Sequence, residues 1–142
     1  MQQQEYIAKT FKGLEEVLAA ELVALGADNV EIQRRAVSFT GDKRLLYKSN
    51  LHLRTALRIL KPIASFRART PDAIYEEVKK LNWNDFMDVN TSFAIDATVF
   101  SEEIRHSRFA AYRMKDAIVD FFRESTGNRP SVKLDNPQLQ FN

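Results

Sequence analysis

Cysteine is absent from the 142 residues. That excludes a disulfide framework, a thiolate zinc site and a cysteine nucleophile, and it is compatible with a reducing cytoplasm. Glycine is scarce and scattered, at Gly13, Gly26, Gly41 and Gly127. A phosphate-binding loop needs clustered glycines ahead of a helix, so that backbone N–H groups can approach the anion. No G-x-G-x-x-G run exists, and no nucleotide or S-adenosylmethionine loop is visible. His52 and His106 lie far apart in the chain, without a second histidine at ligand spacing. They read as surface or helix-start residues, and no metal is expected. No apolar run approaches the roughly 20 residues that span a bilayer. The N-terminus, Met-Gln-Gln-Gln-Glu, lacks the basic and apolar regions of a signal peptide. The expectation is a cytoplasmic protein with no membrane partner.

What the chain does have is enough length to bury a core without staples, as one large domain or two small ones. Its net charge of +2 argues little, but the distribution argues more. Residues 51–70 contain Arg54, Arg58, Lys61, Arg67 and Arg69 and no acid. Residues 71–100 are net acidic, with Asp72, Glu76, Glu77, Asp85, Asp88 and Asp96 against Lys79 and Lys80. A basic stripe beside an acidic helix gives an anion a preferred side.

Residues 6–10 read as a short strand. Leu14, Val17, Leu18, Leu22 and Leu25 follow helical spacing, and Gly26 stands where a helix wants a left-handed cap. Residues 30–32 and 36–40 outline a hairpin around Gln33-Arg34-Arg35. Gly41-Asp42 opens a second helix with Leu45, Leu46 and Leu53 on its apolar side, and residues 55–66 look like a longer strand. That order, β-α-β-β-α-β, is the ferredoxin-like pattern. Thr70-Pro71-Asp72 then combines an N-cap, a proline at N1 and an acid at the positive helix end. Ile74, Val78 and Leu81 form its buried face, and Trp83 and Phe86 are expected to fold back on the core. Residues 91–100 alternate as a half-buried strand. Residues 132–134 suggest a short strand and 139–141 the start of another. A strand so close to a terminus has little chance to pair fully, so the chain is expected to be part of a longer protein.

The most informative stretch is residues 105–130. Ala110, Met114, Ala117, Ile118 and Phe121 fall in one arc with Phe122 at its edge, and that arc is expected to face a sheet. The opposite face carries Arg108, Tyr112 and Lys115, with Arg123 near it. Cations with an aromatic between them suit a phosphate backbone and an unstacked base. Arg34 and Arg35 crown the hairpin, and Arg67 and Arg69 lie between the two halves of the chain. These eight residues are the candidate nucleic-acid-binding set. The plainer alternative is that long basic side chains decorate soluble helices, with Arg113 and Asp116, and Asp120 and Arg123, as simple surface pairs. The acids lie mostly on helix exteriors, so no catalytic constellation is expected.

Several runs together resemble the N-terminal region of bacterial THUMP-containing methyltransferases. These are the large-subunit ribosomal RNA guanine-N2 methyltransferases, often labelled N6-adenine-specific DNA methylases. The runs are Gly13-Leu-Glu-Glu-Val-Leu-Ala-Ala-Glu-Leu22, Val37-Ser-Phe-Thr-Gly41, Asn50-Leu-His-Leu-Arg-Thr-Ala-Leu-Arg-Ile-Leu60, Asn82-Trp83 and Lys115-Asp-Ala-Ile-Val-Asp120 with Arg129-Pro130. The resemblance implies an α+β chain: a ferredoxin-like domain over residues 1–66 and an α/β THUMP domain over 67–142 that lacks its C-terminal end. It implies binding of structured, ribosomal RNA, with a Rossmann-like methyltransferase domain further along the same polypeptide. S-adenosylmethionine would serve that domain, and no cofactor is expected in these residues. A THUMP module from tRNA thiolation or deamination, or a protein-interaction domain, stays open as an alternative. A free-standing enzyme fits least.

Overall fold

The computed structural model describes residues 2–142. The chain divides into two compact units, Met1–Ser65 and Phe66–Asn142, each with its own core.

The first unit follows the β-α-β-β-α-β order: β1 (Gln4–Lys9), α1 (Glu15–Leu25), β2 (Asp28–Gln33), β3 (Ala36–Gly41), α2 (Lys43–His52) and β4 (Arg58–Leu60). The strands lie in the order β2-β3-β1-β4, and each neighbouring pair is antiparallel. Tyr6 and Ala8 of β1 bury beside Val37 and Phe39 of β3, and Leu18, Leu22 and Leu45 cover them from the helices. Each of the buried valine, leucine and phenylalanine side chains contributes about 1.5–3 kcal/mol on burial. Local signals are as the sequence predicts. Gly26 ends α1 at φ 93°, and the Asp42 carboxylate caps α2 by accepting from the Leu45 N–H at 2.8 Å. Only part of the leucine-rich face of α1 is used, since Val17 remains 49% exposed.

The strand expected over residues 55–66 shrinks to Arg58–Leu60. β4 is an edge strand paired only with β1, and Pro62 has no N–H to extend the ladder. Ile63 and Phe66 are exposed in consequence.

The second unit contains α3 (Pro71–Lys79), a single 3₁₀ turn (Trp83–Asp85), β5 (Phe93–Ile95), α4 (Ser107–Thr126) and β6 (Leu139–Phe141). Thr70 caps α3 through its hydroxyl, 3.1 Å from the Ala73 N–H, with Pro71 at the first helical position. Trp83 is buried and donates its indole N–H to the Val78 carbonyl at 2.8 Å, so it does fold back on the core. Phe86 does so only partly, resting edge-on against Trp83 while staying 39% exposed.

The strand expected over residues 91–100 is three residues long and is not half-buried. β5 pairs in parallel with β6 on one side and bridges Val132 on the other, so adjacent Phe93 and Ala94 are both buried. Those neighbours supply backbone partners for the stretch Phe93–Ile95, for the Ser92 carbonyl, which accepts from the Leu139 N–H at 3.1 Å, and for the Asp96 N–H, which reaches the Phe141 carbonyl at 2.9 Å. The short strand expected over 132–134 is a single bridge at Val132. In contrast, β6 pairs along its whole length, contrary to the expectation that it would not.

Candidate nucleic-acid interface

The site candidates of the second unit are set by how α3 and α4 lie together. Asp72 bonds Arg113 at 3.1 Å, the Tyr75 hydroxyl donates to Asp120 at 2.6 Å, and Lys79 pairs with Glu124 at 2.6 Å. Position along one helix increases with position along the other, so the two run parallel with their N-termini at one end. The hydrogen bond to Asp120, reinforced by burial, pushes the Tyr75 phenol above its ordinary range. Glu124 likewise raises the Lys79 ammonium. The Arg113 guanidinium sits 4.4 Å from the Tyr75 ring centroid and also reaches Asp116 at 3.5 Å. Arg113 is therefore a clasp between the helices, a role that the sequence hides behind a plain i,i+3 surface pair.

The expectation that the apolar arc of α4 faces a sheet holds only in part, because α4 packs more extensively on α3 than on β5. Covered from two directions, its C-terminal half is buried over a wider arc than one apolar stripe. Phe122 is more deeply buried than Phe121, and Val119 is buried too.

This changes the candidate face. At 3.6 residues per turn, Arg108, Tyr112 and Lys115 lie within about 60° of the helix circumference. Val119 and Phe122 continue nearly the same line but belong to the core. The polar face therefore stops after about two turns. Arg108 is exposed and Tyr112 is 57% exposed, and neither has a partner among the described residues. Lys115 is half-buried, and its ammonium is held by Asp116 at 2.7 Å, so it is not the free cation expected from sequence. Arg123 lies about 22 Å along the axis from Arg108 at 1.5 Å per residue. It pairs loosely with Asp120 at 3.9 Å and is not part of the cluster.

Other residues join the N-terminal end instead. Arg67 and Arg69 precede the Thr70 cap, so they stand beyond the start of α3, at the end where α4 begins. Both are exposed and unpaired among the described residues. Arg105 is exposed just before α4, and Phe109 within it is 52% exposed. Sequence reasoning missed both, although Phe109 was legible as an aromatic outside the apolar arc. The result is a surface with Arg67, Arg69, Arg105 and Arg108, two exposed aromatics and two helix N-termini, whose partial positive charge adds to the cations.

Arg34 and Arg35 belong to the first unit, exposed in the β2–β3 turn with Arg35 at φ 54°. Their backbone is tied down: the Arg35 N–H donates to Glu15 at 3.3 Å, and its carbonyl accepts from the Thr10 N–H at 2.9 Å. The N–H groups of Glu15 itself, Gly13 and Arg35 hold the Glu15 carboxyl below its ordinary value. Among the described residues no cluster of three or more histidines or acids could hold a metal, and no helix is long and apolar enough to cross a membrane.

Comparison with known proteins identifies both parts. Residues 5–60 match the RlmL ferredoxin-like domain and residues 68–142 the THUMP domain. The chain is 43% identical over 138 residues to the ribosomal RNA large subunit methyltransferase K/L of Syntrophotalea carbinolica, covering 97% of this chain and 19% of that protein. It thus spans about a fifth of the length of that relative. Among solved structures it is similar to an N6-adenine-specific DNA methylase, so described by prediction, from Listeria monocytogenes (TM-score 0.79, 26% identity, 92% of this chain and 35% of that one). It is equally similar to SMU.472, described as a candidate methyltransferase and complexed with SAH (TM-score 0.78, 26% identity, 92% and 36%). A ferredoxin-like sheet order in the first unit, the second unit's helices on a parallel sheet, and these matches along nearly the whole chain lead to one conclusion: the chain belongs to the THUMP family, with an RlmL-type ferredoxin-like domain ahead of its THUMP domain.

Proposed function

We propose that this chain is the RNA-binding region of an S-adenosylmethionine-dependent RNA methyltransferase, and that it positions structured ribosomal RNA for a catalytic domain C-terminal to it in the parent protein. The observation that carries the reading is the end of the second unit where Arg67, Arg69, Arg105 and Arg108 stand exposed and unpaired beside Tyr112 and Phe109. Cations there contact phosphates and fix register, while an exposed ring accepts an unpaired base. RNA of this kind is recognised by shape and by unpaired bases, so base specificity need not reside in these residues. The names of the relatives, a ribosomal RNA methyltransferase and an SAH-bound neighbour, support the placement with a methyltransferase and its cofactor. S-adenosylmethionine is assigned in this reading to the methyltransferase domain of the parent protein, as the SAH-bound neighbour suggests.

Lys115 and Arg123 enter as secondary contacts that must leave Asp116 and Asp120 to reach a phosphate, and Arg34 and Arg35 as contacts from the first unit. Fluorescence anisotropy with a large-subunit ribosomal RNA hairpin tests the reading. Arg108→Glu together with Arg69→Glu is expected to weaken binding at least tenfold, and Tyr112→Ala to weaken binding to a hairpin with unpaired bases more than to a blunt duplex. Unchanged affinity in the double variant overturns it.

A further inference from the structure

We infer that the first unit carries its own phosphate-binding pocket, built by Lys43, Lys61, Gln2, Gln4 and Tyr6, and separate from the α4 surface. The depression has a volume of about 360 Å³ and is floored by Tyr6 and Leu46. That is room for a phosphate and the sugar attached to it, at the small end of the roughly 300–1,000 Å³ of ligand pockets.

The fold explains why these residues meet. Gln4 and Tyr6 are two apart on β1 and point to the helix-covered face, and Gln4 stands opposite Gly41, where β3 ends and α2 is about to start. Lys43 and Leu46 are three apart in the first turn of α2, so both overhang the same spot. The antiparallel pairing Ile7 with Leu60, continued by one residue, brings Lys61 opposite Tyr6 on that face. Lys61 belongs to the acid-free stretch 51–70, and the α4 surface does not use it.

The chemistry of the lining is one-sided. Neither Lys43 nor Lys61 has an acidic partner among the described residues, and no carboxylate lines the pocket. Asp42, beside Lys43, is turned to the N–H of Leu45, and Glu5, between Gln4 and Tyr6 on β1, points to the opposite face of the sheet. Tyr6 is 2% exposed, and its hydroxyl donates only a long 3.4 Å bond to the Gln4 side chain. A phosphate oxygen would replace that with a shorter, charge-assisted bond. Two ammonium groups, a phenol and two amides with no competing acid form a donor set for an oxyanion. A ring-binding pocket would instead need aromatic walls, and an amine would need an acid.

The phosphate can come from an RNA backbone or from a free phosphate or nucleotide. Only the first source rests on the RNA reading above. The test is ¹⁵N NMR of the chain at constant ionic strength with two probes, inorganic phosphate and an RNA hairpin. With phosphate, saturable amide shifts are expected at Gln4, Lys43, Arg44 and Lys61. They should weaken at least tenfold in Lys43→Gln/Lys61→Gln and stay unchanged in Lys12→Gln, an exposed lysine elsewhere in the unit. Both altered lysines are exposed, and an unchanged thermal midpoint checks that the double variant folds. If the hairpin moves the same amides and the double variant lowers the salt slope of RNA binding by about two, the source is backbone phosphate. If phosphate moves them and the hairpin does not, the source is a free phosphate or nucleotide. No saturable shift with either probe, or an equal loss in Lys12→Gln, overturns the pocket. RNA held by the α4 surface with the first unit silent to both probes sinks the pocket and leaves the RNA reading standing. Phosphate bound here without RNA binding anywhere does the reverse.

Discussion

Single residues settle what the charged groups of this chain can do. Lys115 and Arg108 share a helix face, yet Asp116 holds one and nothing described holds the other. Arg113 looks like surface and is instead packed on Tyr75 and bonded to Asp72. Which cation is free depends on which acid the fold brings near, so spacing alone could not sort them. Glu15 is a clearer case of function through position, because its carboxylate fastens both the start of α1 and the β2–β3 turn. Its folded pKa lies below the ordinary value of 4.5, so the unfolded state binds the proton more readily. The stabilisation is complete above pH 4.5 and is lost as pH falls through the depressed folded value. Glu15→Gln should therefore lower the thermal midpoint at neutral pH and converge with the unaltered chain in acid. A difference between the two that does not shrink on acidification contradicts this account.

At the scale of elements, the helices and the first three strands were legible and the lengths of β4 and β5 were not, for a physical reason. The stop at Gly26 and the caps at Asp42 and Thr70 act through atoms a few residues away, so sequence suffices. Strand length depends on partners, and β4 and β5 are short because their neighbours offer little to pair with. The same holds for α4: its arc was read from one face, but α3 and β5 cover it from two sides. The basic end depends on α3 starting where it does. Thr70→Ala removes the cap and should cost about 1 kcal/mol. Because Arg67 and Arg69 immediately precede that cap, RNA affinity should also fall, by less than in the charge reversals. Urea denaturation and anisotropy on the same sample check both effects. Loss of RNA binding without loss of stability would point to direct contact by the Thr70 hydroxyl instead.

For the molecule as a whole, two units with separate cores each carry exposed basic side chains. Fold and family were readable from ordered runs such as Val37-Ser-Phe-Thr-Gly41 and Asn82-Trp83, whose Phe39 and Trp83 turn out to anchor the two cores. The proposed interface was readable only as a list of candidates, because exposure and pairing arise after folding. Its central claim is electrostatic, and the salt dependence of RNA binding tests it most directly. With the chain and a large-subunit ribosomal RNA hairpin titrated between about 50 and 300 mM KCl, log Kd should rise linearly with log salt. Replacing Arg69 and Arg108 by glutamine should lower the slope by about one each. A slope near zero, or one that the two replacements leave unchanged, contradicts the account.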